Sequence, residues 1–169
     1  GALGFTTSRT TKHRAADGRV TPSLSASEKE LLGLAAAMKR AGSGVIEVNS
    51  DFGNGEFEAL CMAARVSGRP LSCLIVQVRN APELWRETMA KVREARQDGV
   101  ACNSQVHVRG IGMVMGLETT LNPFRNHPVW KSLDHLTPHQ RARKLISDTH
   151  LRAELAIPLS DKNSQWLES

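Results

Sequence analysis

The sequence contains no Tyr, four Phe and three Trp in 169 residues. So thin an aromatic content argues against a base-stacking RNA surface and against an interface built on aromatic anchors. No apolar run approaches the ~20 residues that span a bilayer, so no membrane partner is expected. Cysteine is scarce and odd in number, with three residues and no C-x-x-C. Cys61, Cys73 and Cys102 each lie inside an apolar run. They read as reduced core thiols in a reducing, cytoplasmic compartment. There is no G-x-G-x-x-G after a strand, no phosphate loop and no G-x-S-x-G. The six His (His13, His107, His127, His135, His139 and His150) include neither H-x-H nor H-E-x-x-H. Local spacing therefore yields no first-row metal site. His135 and His139 are four apart, but Pro138 between them breaks a shared helical face.

What is present is an ordinary globular composition, 40% hydrophobic and 23% charged, with a net charge of +5. The basic residues are scattered, as Lys39 and Arg40, Lys91 and Arg93, then Arg141, Arg143 and Lys144. Each group falls on an expected helix, beside acidic residues or near a C-terminus that favours cations. They read as solvated faces, and no nucleic-acid partner is expected. The opening Gly-Ala-Leu-Gly, without Met, begins inside an apparent structural element. An internal segment of a longer polypeptide is the expectation.

Periodicity divides the chain into alternating strands and helices. Gly1–Thr6 reads as a short buried strand and Thr7 to Ser25 as a long loop. Ser27 and Glu30 form an S-x-x-E start. Leu31, Leu34, Ala35 and Met38 follow at helical spacing, and Gly42 is the stop. Val45–Asn49 is a strand, and Gly53-Asn54-Gly55 a turn more readily than an anion site. A second helix carries Phe57, Leu60, Cys61 and Ala64 and ends at Gly68. Leu71–Val78 reads as a strand buried on both faces. Asn80 is a candidate cap for a third helix bearing Leu84, Trp85, Met89 and Val92. Val100–Val108 is the fourth strand. Pro128–His135 and Pro138–Asp148 read as helices, with an irregular tail beyond His150.

Near-regular strand–helix repeats predict parallel strands joined by right-handed crossovers. The fold class expected is thus α/β, built of parallel βα repeats. About four strands fall short of a (β/α)8 barrel, which needs roughly 250 residues. The choice is an open sheet or part of a barrel. Chemistry in parallel α/β folds gathers at the carboxyl ends of the strands. That rule selects Thr7, Ser8 and Arg9, then Asn49, Ser50 and Asp51, then Gln77 and Arg79, and finally Gln105, His107 and Arg109. The set suits an anionic substrate held by Arg in bidentate fashion. Equally, these are the polar residues that any strand end needs to satisfy its backbone.

The segments GALGFTTSRT, SASEKELLGLAAAMKRAGSGVIEV, GRPLSCLIVQ and VREARQDGVACNSQV, in this order and spacing, are similar to the N-acyl-D-amino-acid deacylase (D-aminoacylase) branch of the amidohydrolase superfamily. The resemblance covers Gly1 to Phe124. It implies a metal-dependent (β/α)8 barrel that hydrolyses an amide or related C–N bond. In it, Gly1–Thr6, Val45–Asn49, Leu71–Gln77 and Val100–Val106 would be the fourth to seventh strands. The H-x-H strand and the catalytic Asp would lie outside this chain.

The family carries His at the ends of its fifth and sixth strands, where this chain has Asn49 and Gln77. Amide oxygen is a poor replacement for imidazole on zinc, so no metal ligand is carried over. Zinc or another divalent cation is expected in the intact parent, with its ligands mostly outside this chain. The implied partners are a small-molecule substrate and the remainder of the parent polypeptide. Asn49, Gln77 and Gln105 would hydrogen-bond substrate amides, and Arg9, Arg79 or Arg109 would clamp a carboxylate. The alternative is a catalytically inactive, ligand-binding barrel. Residues 1–126 are expected to form the partial barrel and residues 127–169 a helical extension. Open strand edges would make the isolated chain self-associate.

Overall fold

The computed structural model describes residues 2–15, 19–78, 81–110, 112, 114–117, 119 and 122–157. Extended, Thr-rich sequence forms β1 (Gly4–Arg9), which runs three residues further than periodicity suggests. The expected loop after it contains a helical turn, α1 (Pro22–Ser25), with Pro22 at its first position. Helix α2 (Glu28–Ala41) starts where the Ser27 hydroxyl accepts from the Glu30 amide at 3.3 Å. It ends at Gly42, whose φ of 73° lets its N–H reach the Met38 and Lys39 carbonyls. Then come β2 (Val45–Ser50), α3 (Glu56–Ser67) and β3 (Leu71–Leu74). Helix α4 (Leu84–Gln97) and β4 (Cys102–Gln105) complete the repeat. The expected cap Asn80 lies outside the described residues, and α4 is entered through Glu83.

The four strands are all parallel and lie in sequence order, β1-β2-β3-β4. The chain is thus an α/β protein in which a four-stranded parallel sheet alternates with helices. Its register sorts the side chains into two sets. Rows Phe5–Ile46–Leu71–Cys102 and Thr7–Val48–Cys73–Ser104 alternate with row Thr6–Glu47–Ser72–Asn103. Because successive side chains point to opposite faces, the first two rows share one face and the third lies on the other. The apolar core joins Ile46, Val48, Leu71, Cys73 and Cys102 to Leu31 and Ala35 of α2, Phe57 and Leu60 of α3, and Val92 and Ala95 of α4. The third row is polar; in it Ser72 is buried, while Thr6 and Asn103 are exposed.

The strand read over Leu71–Val78 is shorter, its ladder pairing ending at Leu74, and it is buried on both faces as expected, with Leu71 and Cys73 in the apolar core and Ser72 buried on the other side. The fourth strand is likewise shorter than Val100–Val108, since Val106 and Val108 are exposed beyond Gln105.

Chain contacts divide the molecule into two units, residues 1–13 with 20–110 and residues 14–19 with 111–169. The second unit holds α5 (Pro128–Lys131), α6 (Pro138–Ser147) and α7 (Thr149–Leu155). Its core is Trp130, Leu133, Leu151 and Leu155. The tail expected to be irregular beyond His150 begins instead in α7, because Asp148 caps it through the Leu151 amide at 2.9 Å and Leu151 and Leu155 share a buried face; its residues beyond 157 lie outside the described ones.

Candidate functional site at the carboxyl end of the sheet

The strand-end residues divide by the face on which they emerge. On the helix side, Arg9 is consumed by the protein itself. Its Nε donates to Glu56, its Nη1 to the Ser23 carbonyl at 3.1 Å and its Nη2 to the Ala26 carbonyl at 3.0 Å. Ser50 Oγ donates to the same Glu56 carboxylate. With side chains 13% and 15% exposed, the Arg9–Glu56 pair rivets α1 and α3 to the sheet. The guanidinium read from the sequence as a carboxylate clamp is thus engaged with groups of the chain itself. A depression of about 200 Å³, lined by Phe5, Arg9, Ser23, Ala26, Leu31 and Leu34 among others, lies beside this rivet.

Next to it, Asp51 staples the loop that leaves β1. Its carboxylate accepts from Thr10 Oγ1 at 2.6 Å, the Thr11 amide at 2.8 Å and Thr11 Oγ1 at 3.1 Å. Partial withdrawal from water pushes the Asp51 carboxyl up. The hydrogen bonds from Thr10 and Thr11, with the charge of Lys12, outweigh that and hold it below its ordinary value.

The stapled loop returns His13 to the polar face. Its Nδ1 lies 2.5 Å from Ser8 Oγ, and its Nε2 lies 3.4 Å from Asn49 Nδ2. Ser8 and Asn49 are register partners at the ends of β1 and β2. Below them Thr6 Oγ1 donates to Glu47, on the same face. The Ser8 carbonyl accepts from Ser23 Oγ, which fixes the strand end.

Of the candidates read from the sequence, Asn49 belongs to this group. Gln105 ends β4 on the same face, as the register partner of Leu74. Gln77 is turned aside, with its Nε2 3.4 Å from the Pro82 carbonyl. His107 and Arg109 are exposed beyond β4. Arg79 lies outside the described residues. Sequence reasoning missed His13, which stands in no metal motif. Its signal was position, five residues after a polar-face serine at a strand end.

The metal implied by the resemblance does not fit these residues. Among the described residues, no three His, Cys, Asp or Glu side chains are grouped to hold an ion. The ends of β2 and β3 offer the amides of Asn49 and Gln77, whose nitrogens already face His13 and Pro82. The thiols lie in the core. All three are free and buried. Burial, with Cys102 nearby, pushes Cys61 up to about 11. A hydrogen bond with Cys102, followed by burial, pushes Cys73 up as well. The same hydrogen bond holds Cys102 below its ordinary value, while Cys61 and Cys73, raised and buried, are neither nucleophiles nor ready ligands.

Comparison with protein-family models, curated proteins and solved structures found no match. Among the described residues, no helix is long and apolar enough to cross a membrane.

Proposed function

We propose that the sheet is an arc of a (β/α)8 barrel, its fourth to seventh strands. The intact protein would be an amidohydrolase-like enzyme that hydrolyses the C–N bond of N-acyl-D-amino acids or related amides. The observation that carries this is the polar row Thr6–Glu47–Ser72–Asn103 on the face outside the core, beneath parallel strands in sequence order. A doubly wound sheet reverses its strand order and carries helices on both faces. A barrel wall keeps sequence order, holds its helices on one side and turns the other inward. The sequence resemblance supplies the reaction class.

In this reading Asn49 and Gln105 hydrogen-bond the substrate's amide, and Arg109, on the exposed segment after β4, meets its carboxylate. Any metal of the intact protein takes its ligands from outside this chain. The poor donor set at the ends of β2 and β3 favours a second reading, a barrel that binds such ligands without cleaving them.

The intact protein incubated with a panel of N-acetyl-D-amino acids, with free D-amino acid measured by chiral chromatography, separates the two. Release of amino acid is the expected result. Saturable thermal stabilisation by the same compounds without release favours the binding barrel. Neither release nor stabilisation contradicts both.

A further inference from the structure

We infer that Glu47 selects the substrate: the amino acid released carries a cationic side chain of about lysine's length, and the Glu47 carboxylate receives its charge. The inference rests on the amide-hydrolase reading and names the substrate class within it. Glu47 stands in the middle of β2 on the polar face, two residues before Asn49. Thr6 and Ser72 are its register partners on β1 and β3. It is half-buried, and Thr6 Oγ1 donates to its carboxylate. Other glutamates of this unit are matched by cations, Glu56 by Arg9 and Glu58 by Lys91. Among the described residues, no Lys, Arg or His side chain pairs with Glu47.

A hydroxyl does not neutralise a carboxylate, and a carboxylate enclosed without a cation is costly. On a barrel wall the polar face turns inward, so closure withdraws Glu47 further from water. A cation then has to meet it, and the surroundings favour a ligand over a fixed contact. Barrel interiors are ordinarily filled in layers by bulky, branched side chains. The face around Glu47 is set instead with Gly4, Thr6, Ser8 and Ser72, which put little bulk beside the carboxylate.

Depth sets the length of the side chain. In the amide-hydrolase reading the scissile amide lies level with Asn49 and Gln105. Glu47 is one same-face step lower, about 6–7 Å down the strand. The four-carbon stem of a lysine side chain covers that span and ends in a compact ammonium with three donors. A shorter side chain stops above the carboxylate, an apolar one of equal length leaves it unpaired, and an acidic one sets like charges together. The α-carboxylate stays with Arg109 beyond the strand end, so the two charges of the amino acid are read at different depths.

The test uses the intact protein with N-acetyl-D-lysine, N-acetyl-D-norleucine, which has similar length and no charge, and N-acetyl-D-glutamate. kcat/KM should be highest for the lysine compound, by roughly tenfold or more over norleucine, the usual worth of a hydrogen bond to a charged group, and lowest for glutamate. Glu47→Gln should remove that advantage, lowering kcat/KM for the lysine compound roughly tenfold through KM while the norleucine compound stays within about twofold. A wild-type protein that does not prefer the lysine compound overturns the inference, as does a Glu47→Gln variant that lowers both substrates equally or neither. If the wild-type protein cleaves nothing in the panel, the amide-hydrolase reading fails, and binding decides Glu47 separately. Titration calorimetry should then show N-acetyl-D-lysine bound roughly tenfold more tightly than N-acetyl-D-norleucine by the wild-type protein and equally by Glu47→Gln. Equal binding by the wild-type protein, or none, overturns the inference.

Discussion

At the scale of single residues, the strand ends divide structural charge from reactive polarity. Arg9 and Glu56 are charged, largely buried and mutually satisfied, so they hold elements together. His13 is exposed, and its two ring nitrogens face Ser8 and Asn49. Between them stands Asp51, with its carboxyl held below its ordinary value. A depressed carboxyl pKa stabilises the fold fully above the unfolded value of about 3.9, and the gain is lost as pH falls through the lower folded value. Asp51→Asn should therefore melt below wild type at pH 7, with the gap closing below about pH 4. A gap that stays constant in melting curves from pH 7 to pH 3 contradicts the staple. None of this was visible in the sequence. Thr10, Thr11 and Asp51 are some forty positions apart and meet only because β1 and β2 pair in parallel register.

At the scale of elements, periodicity fixed more. The core of α3 was legible as apolar residues three and four apart; in α2, Leu31 and Ala35 are buried as expected but Leu34 is 38% exposed, and the Gly stops worked as backbone chemistry requires. Helix α4 was less so. Leu84, expected on its inner stripe, is 39% exposed, while Thr88 is buried by returning its hydroxyl to the Leu84 carbonyl. The polar face was harder to read. Apolar neighbours on either side hide Ser72 within LSCLIVQV, and only the observed register aligns it with Glu47 and Asn103. That register makes a demand at Gly4, where an added methyl would land on the Val45 carbonyl oxygen and amide nitrogen. Gly4→Ala should cost about 1–3 kcal/mol, the usual range for overpacking. Gly33, inside α2, has open space around it. Gly33→Ala should instead stabilise by about 1 kcal/mol through helix propensity. Urea midpoints that move together, or a neutral Gly4→Ala, would contradict the pairing of Gly4 with Val45.

At the scale of the whole molecule, the account depends on one asymmetry. The parallel sheet buries one face in its core and leaves a polar row on the other, and β1 and β4 are its edges. The central claim is that the polar face is the one that meets substrate. Three alanine variants of the intact protein test it, by kcat/KM on an N-acetyl-D-amino acid. Asn49→Ala and Gln105→Ala remove polar-face amides, while Ser104→Ala removes a hydroxyl that faces Met89 from the neighbouring position. Losing one substrate hydrogen bond corresponds to about 1.4 kcal/mol, or roughly tenfold. The account predicts a fall of that size for Asn49→Ala and Gln105→Ala and near-wild-type values for Ser104→Ala; equal effects on the two faces, or loss only in Ser104→Ala, would contradict it.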